Sequence, residues 1–543
     1  MLRRVAEAEN RLERFNTERD RIVATVSRRV VQDQVRRAQS GEEGSLEYVL
    51  NDVAFSEIRR YESARTKDGT RKLARWREFA ARLGRMSADD KRRELERLVT
   101  SYATDIVGNF NPRVYRFANG VLPPALSFLL APIRSVRDGV AALGSLQAQV
   151  HVDGEVELVR RAADRGTLVF TPTHSSNLDS IVLGFGLHRS HLPPVTYGAG
   201  KNLFTNPFMS FFMHNLGAYR VDRRLKFSLY KDVLKEYSTV LLERGFHSLF
   251  FPGGTRCRSN RVEQKLKLGL LGTALTAYHN CLRDATSTRR LYIVPVTINY
   301  RLVLEAETLI EDYLAETGRS RYIIEDDEFS RLGRIVEFLR KTLAHESAVI
   351  LRLGRPLDPF GHTTDDDGES VDSRGRVIDP STYLRGADGE IVADSQRDIV
   401  YTRALGGSLA RAFLAETMFS TTPIVCRAVL DAVRERVSVR DIYRLCRLPT
   451  SAVHVERSDV IARAGALREL IHDHPEWGKV TDVADSLSPG DMLDDALGVL
   501  TTYHTHPVVE PLSNRLRVGA MKLLFYYANR TDHIPVAPGG VAP

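Results

Sequence analysis

His174 and Asp179 stand five positions apart in the run Thr173-His174-Ser175-Ser176-Asn177-Leu178-Asp179. Imidazole is the side chain whose ordinary pKa lies nearest neutrality, so it can take the proton from an attacking hydroxyl. A carboxylate behind the ring selects the tautomer and stabilises the imidazolium that forms. A tight turn after His174 would bring Asp179 into that place. The spacing H-x-x-x-x-D is common by chance, and a capping Asn177 or Asp179 beside a hydrogen-bonded histidine accounts for it too.

Two further segments carry cations. Gly217-Ala218-Tyr219-Arg220-Val221-Asp222-Arg223-Arg224 and Phe250-Phe251-Pro252-Gly253-Gly254-Thr255-Arg256-Cys257-Arg258 each run from an apolar stretch into arginines. Guanidinium groups grip phosphate through paired hydrogen bonds. Gly253 and Gly254 permit close backbone approach to an anion. Lys201, after Gly198-Ala199-Gly200, adds charge. A solvated basic rim is the plainer account of the same residues. Ile293-Val294-Pro295-Val296 is apolar with an internal proline, which suggests an edge strand or an irregular position.

Short apolar strands are expected at Thr167–Phe170, Pro194–Tyr197, Ala218–Val221, His247–Phe251, Tyr292–Ile298 and Ala348–Leu353, with helices at Ser228–Arg244 and Lys265–Cys281. Such alternation implies an α/β fold: a central mixed, largely parallel sheet flanked by helices. His174 and the arginines would then share the strand-end edge where such sheets place their sites. Residues 1–140 read as an N-terminal helical region, with Leu12, Phe15, Arg19, Ile22, Val26 and Val30 at helical spacing. Residues 141–400 form the α/β domain. Residues 401–543 read as a C-terminal helical region, with helices expected at Ala404–Phe419 and Val425–Arg434. Residues 359–395, rich in Asp and Gly, read as a long loop, the tail Pro535–Pro543 as disordered. No internal repeat is evident.

A chain of 543 residues fits two or three domains. The net charge of +8 admits nucleic acid, an anionic membrane or phosphorylated substrates as partners. Cys257, Cys281, Cys426 and Cys446 lack metal-site or disulfide spacing, so no metal is expected and a reducing compartment fits. The uncharged run Phe117–Ile133 is short for a membrane span and is broken by Pro123, Pro124 and Pro132. A buried hairpin or an interfacial wedge is the expectation, with surface attachment rather than threading.

In this order the segments resemble the four sequence blocks of the glycerolipid acyltransferase superfamily. His174 and Asp179 match its catalytic H-x-x-x-x-D, Gly217 and Arg223 its second block, Gly254 and Arg256 its third, and Pro295 its fourth. Chain length, Gly354–Gly361 and the Leu- and Tyr-rich Leu523–Arg530 look most similar to the large glycerol-3-phosphate acyltransferases. The resemblance implies acyl transfer from acyl-CoA or acyl-carrier protein to glycerol 3-phosphate at a membrane surface on the cytoplasmic face. Arg223 and Arg256 would hold the phosphate, with help from Arg220, Arg258 or Lys201. No cofactor and no nucleic-acid partner are implied. The sequence departs from the family at Gly253, where a glutamate is usual. It also departs in the second block, where Val221-Asp222-Arg223 is similar to the lysophosphatidate branch. Acylation of lysophosphatidate or dihydroxyacetone phosphate, or a binding scaffold without catalysis, are the alternatives.

Overall fold

The computed structural model describes residues 11–41, 45–62, 66–120, 150–204, 207–284, 289–303, 305–317, 349–449, 453–501 and 504–535. Of the uncharged run Phe117–Ile133, only residues 117–120 fall within these bounds, and residues 536–543 of the tail lie outside them.

The N-terminal region is helical: α1 (Phe15–Ser40), α2 (Leu46–Glu62), α3 (Lys67–Leu83), α4 (Ala88–Ile106) and α5 (Pro112–Gly120). Phe15, Ile22, Val26 and Val30 of α1 are buried, as their spacing predicts. They share a core with Leu50, Val99, Tyr219 and Tyr230.

The central region begins with β1 (Val150–Gly154), a strand not expected from the sequence. It continues through α6 (Val156–Arg165), β2 (Gly166–Pro172), α7 (Asp179–Arg189), β3 (Thr196–Gly200), α8 (Pro207–Asn215), β4 (Ala218–Val221), α9 (Ser228–Glu243), β5 (Ser248–Leu249), α10 (Leu268–Arg283), β6 (Arg290–Tyr300), α11 (Ala306–Thr317) and β7 (Val349–Leu353). One sheet takes the order β1-β7-β6-β2-β5-β3-β4. Its ladders are parallel except between β6 and β7, so the sheet is mixed and largely parallel. Alternation along the strands feeds two cores. Leu168, Phe170, Val294 and Val296 pack with Val159, Leu183 and Leu187 on one face. Val169 and Ile293 pack with Leu271, Leu275 and Leu405 on the other.

For two helices a local interaction sets bounds other than those expected. The Lys267 N–H is committed to the Pro252 carbonyl at 2.7 Å, so α10 starts at Leu268 rather than Lys265. The helix expected at Ala404–Phe419 is α12 (Ser395–Ala415), because the Asp394 carboxylate caps it by accepting from the Gln396 and Arg397 amides. Met418 and Phe419 instead form β8, which pairs with β10 at Lys479–Val480. β6 is an interior strand, not an edge. Pro295 is tolerated there because the partner chain bulges: the ladder ends at Val296↔Leu353 and resumes with the isolated bridge Ile293↔Leu357.

The Asp- and Gly-rich stretch does contain a repeat. Asp358, Asp365 and Asp372 each accept, through Oδ1, the amides two and four residues on. Gly361, Gly368 and Gly375 follow with positive φ, so a seven-residue turn recurs as a staircase beside α12.

The C-terminal region gathers α13 (Thr421–Val437), α14 (Arg457–Asp473), α15 (Pro489–Leu500) and α16 (Met521–Ala528) around one core. Leu309 and Ile310 of α11 belong to that core as well. A small antiparallel sheet of β9 (His454–Glu456), β11 (Val509–Leu512) and β12 (Arg515–Val518) joins it.

Candidate active site

His174 lies in the loop that leaves β2, and Asp179 opens α7. The loop turns so tightly that the carboxylate reaches back over it. Asp179 Oδ2 receives the amides of Ser175 at 2.7 Å and Ser176 at 3.0 Å, and meets His174 Nδ1 at 2.7 Å. Asp179 is thus no ordinary cap; its side chain binds the preceding loop and the ring together. The carboxylate is fully buried and the imidazole 15% exposed. With Nδ1–H donated to the aspartate, Nε2 keeps its lone pair for a substrate hydroxyl. Phe251 stacks on the ring at 4.2 Å and fixes its plane.

Three carboxyl or hydroxyl groups not singled out from the sequence complete this arrangement. Tyr300, the last residue of β6, donates its hydroxyl to Asp179 Oδ1 at 2.7 Å. Burial pushes its pKa far up, so it stays protonated. Glu305 accepts from the Ser176 hydroxyl and the Asn177 amide, both at 2.9 Å, and meets Arg256 Nη1 at 3.4 Å. Burial raises its pKa, against the pull of the Asn177 amide and Arg256. Glu263 accepts the His174 amide at 2.9 Å. Tyr300 and Glu305 were findable, since both follow a strand ending on the same edge as His174. Nothing in the polar stretch around Glu263 marks it.

The C-terminal region closes the site from below. Asn260 donates to the Tyr526 carbonyl at 3.2 Å and Asn529 to the Ser259 carbonyl at 3.0 Å. Arg530 is buried, with Nη2 on Asn299 Oδ1 at 2.9 Å. Its charge offsets the carboxylates of Asp179 and Glu263.

The cations expected at the site separate into two groups. Arg256 is linked to the dyad loop through Glu305. Arg223 is exposed in the turn after β4, which stands three strands from β2. At ordinary strand spacing that is about 14 Å along the edge. Lys201 is instead paired with Asp105 of α4 at 2.7 Å. Arg220 lies 4.0 Å from the same carboxylate and over the Phe204 ring. Arg258 is braced on Glu316 at 2.8 Å. Asp105 thus braces Lys201 and, more loosely, Arg220, while Glu316 braces Arg258.

Two glycines and the proline of the expected site are held by the sheet and its loops. Gly217 is at the opposite, amino-terminal end of β4, where its φ of 88° and the Val195 carbonyl leave no room for a side chain. The Gly254 amide is spent on the Phe251 carbonyl at 3.0 Å, so of the two loop glycines Gly253 is left to offer an N–H. Pro295 pairs with Thr171 inside the sheet, beneath the His174 loop.

A sheet carrying a histidine–aspartate dyad at its strand-end edge, beside arginines, matches a known class. The family model described as Acyltransferase matches residues 149–299. A glycerol-3-phosphate acyltransferase of Pseudomonas paraeruginosa is 29% identical over 241 residues, 44% of this chain and 26% of that protein. One of Pseudomonas fluorescens is 30% identical over 34% of this chain and 21% of its own length. One of Actinobacillus pleuropneumoniae is 29% identical over 43% and 25%. The matched region therefore spans about a quarter of these relatives. The solved 1-acyl-sn-glycerophosphate acyltransferase of Thermotoga maritima aligns at 16% identity and a TM-score of 0.24, covering 47% of this chain and 90% of that one. Residues 149–299 thus match an acyltransferase domain, and over this region the chain is similar to glycerolipid acyltransferases.

Proposed function

We propose that the chain is a glycerol-3-phosphate O-acyltransferase, moving a fatty acyl group from acyl-CoA or acyl-carrier protein to glycerol 3-phosphate for phospholipid synthesis. The observation that carries this reading is the 2.7 Å contact of His174 Nδ1 with Asp179, which leaves Nε2 free on the edge where Arg223 and Arg256 end. The acceptor phosphate is held by Arg223 and Arg256. His174 Nε2 takes the proton of the acceptor hydroxyl, and the alkoxide oxygen bonds to the thioester carbonyl carbon. The tetrahedral intermediate collapses by breaking its C–S bond, and the thiolate leaves with little need of an acid. The Gly253 amide is assigned to the oxyanion, since the Gly254 amide is bonded to the Phe251 carbonyl. The proton on His174 passes to the thiolate or to water. No covalent acyl-enzyme, metal or prosthetic group enters these steps. The product is a lipid, so the enzyme works peripherally at the cytoplasmic face of a membrane.

The test is full-length protein with a labelled acyl thioester and a panel of acceptors: glycerol 3-phosphate, dihydroxyacetone phosphate, lysophosphatidate and glycerol. Glycerol 3-phosphate is the expected best acceptor. His174→Ala should lower the rate roughly 10²–10⁴-fold, the usual worth of a general base. Wild-type turnover in that variant overturns the mechanism, and a preference for lysophosphatidate overturns the acceptor.

A further inference from the structure

The stretch between β5 and α10 grips the peptide of His174 from both sides. The Cys257 N–H donates to the His174 carbonyl at 2.7 Å. Glu263 Oε1 accepts the His174 N–H at 2.9 Å. Glu263 Oε2 is buried and has no hydrogen-bond partner among the described residues. It points at Gly253: a Cβ placed there would lie 2.5 Å from Oε2. A side chain at position 253 and the glutamate this chain has at 263 cannot both occupy that space. We infer that Glu263 is a positioning residue of the acyl-transfer site, holding the peptide that carries His174 from the space a side chain at position 253 would fill. The inference rests on the reading of His174 as the base.

The charged and titratable groups facing Glu263 come from three elements: Asp179 at the start of α7, Arg530 after α16, and the Cys257 thiol in the same loop. Burial, with a smaller push from Asp179, raises the carboxyl against the His174 amide and Arg530, to about 7. The group therefore changes charge in the range where a histidine base works. When ionised it makes a charge-assisted bond to the His174 amide, shorter and stronger than a neutral one.

Two variants and one spectroscopic reading test this in the full chain. Glu263→Ala should lower kcat about tenfold or more through a misplaced base, with acceptor KM changed less than about twofold. Glu263→Gln offers an oxygen to the same N–H and should recover most of the rate. It should also remove an ionisation near 7 from the pH–rate profile. The wild-type His174 amide resonance should move with a midpoint near 7, and that step should vanish in Glu263→Gln. A purely structural glutamate would lower stability and activity together and leave the profile unchanged. Wild-type kcat in a folded Glu263→Ala, or a His174 amide with no step near neutrality, overturns the inference. If wild-type protein acylates no glycerol phosphate, the functional reading fails, and the amide titration still decides the place of Glu263.

Discussion

Tyr300 donates its hydroxyl to Asp179 Oδ1 at 2.7 Å, while the other oxygen of the same carboxylate holds His174. The aspartate is thereby satisfied on both sides without solvent: two amides and a ring on Oδ2, a phenol on Oδ1. A buried carboxylate so bonded keeps its geometry, which the imidazolium formed during transfer needs.

Tyr300→Phe removes that phenol and leaves Oδ1 buried without a donor. Hydrogen bonds to charged groups contribute about 1.5–3 kcal/mol, so unfolding free energy should fall by that order. Turnover should fall roughly tenfold, equivalent to about 1.4 kcal/mol of barrier, because the aspartate is freed to turn from the ring. Urea titration and steady-state kinetics check the two parts separately; an unchanged variant would show that Tyr300 only fills space.

Arg223→Ala and Arg256→Ala should each raise the acceptor KM about tenfold or more, since a charge-assisted bond to phosphate contributes about 1.5–3 kcal/mol. The donor KM should move little. Lysine at either position should rescue only partly, because it brings charge without the planar fork. Arg258→Ala, whose guanidinium is held by Glu316, should leave the acceptor KM near wild type. Variants that keep the full preference for phosphorylated over unphosphorylated acceptors would remove Arg223 and Arg256 from the phosphate site.

Glu263 also predicts a pH dependence of stability. Its folded-state pKa is raised from 4.5 to about 7. Its contribution is therefore fully present below about 4.5 and is lost as pH rises through about 7. Comparing wild type with Glu263→Gln by urea unfolding at about pH 5 and pH 8, the variant should gain up to about 3 kcal/mol on the wild type at the higher pH. No change in the difference between the two would mean the carboxyl is solvated.

Membrane attachment should be peripheral. No described helix is long and apolar enough to cross a bilayer. The chain carries a net charge of +8. Vesicles of anionic lipid should bind the protein, and binding should weaken with salt as exposed charges are screened. Sedimentation with vesicles at low and high salt measures it; release by detergent alone would point to an inserted segment.

The residue order alone carried the resemblance to acyltransferases, because the matching motifs are short local runs. His174 and Asp179 share one turn, Arg223 lies two residues beyond β4 and Arg256 in the loop after β5, so local runs carry them. Alternation of apolar strands and helices likewise sufficed for a mixed, largely parallel sheet, and the buried stripe of α1 was legible at helical spacing. What tertiary structure decided was which of these residues act together. Lys201, Arg220 and Arg258 have the same sequence credentials as Arg256, yet Asp105 and Glu316 hold them, whereas Glu305 ties Arg256 to the dyad loop. The pairings with Asp105 and Glu316 join positions about 60 to 115 residues apart, and no local pattern encodes them. Tyr300, Glu305 and Arg530 converge on the dyad loop only because β6 lies beside β2 and α16 packs beneath. Glu263 is the sharpest case. In the sequence it is one polar residue in a loop, and only folding places its carboxylate in the room that Gly253 leaves open.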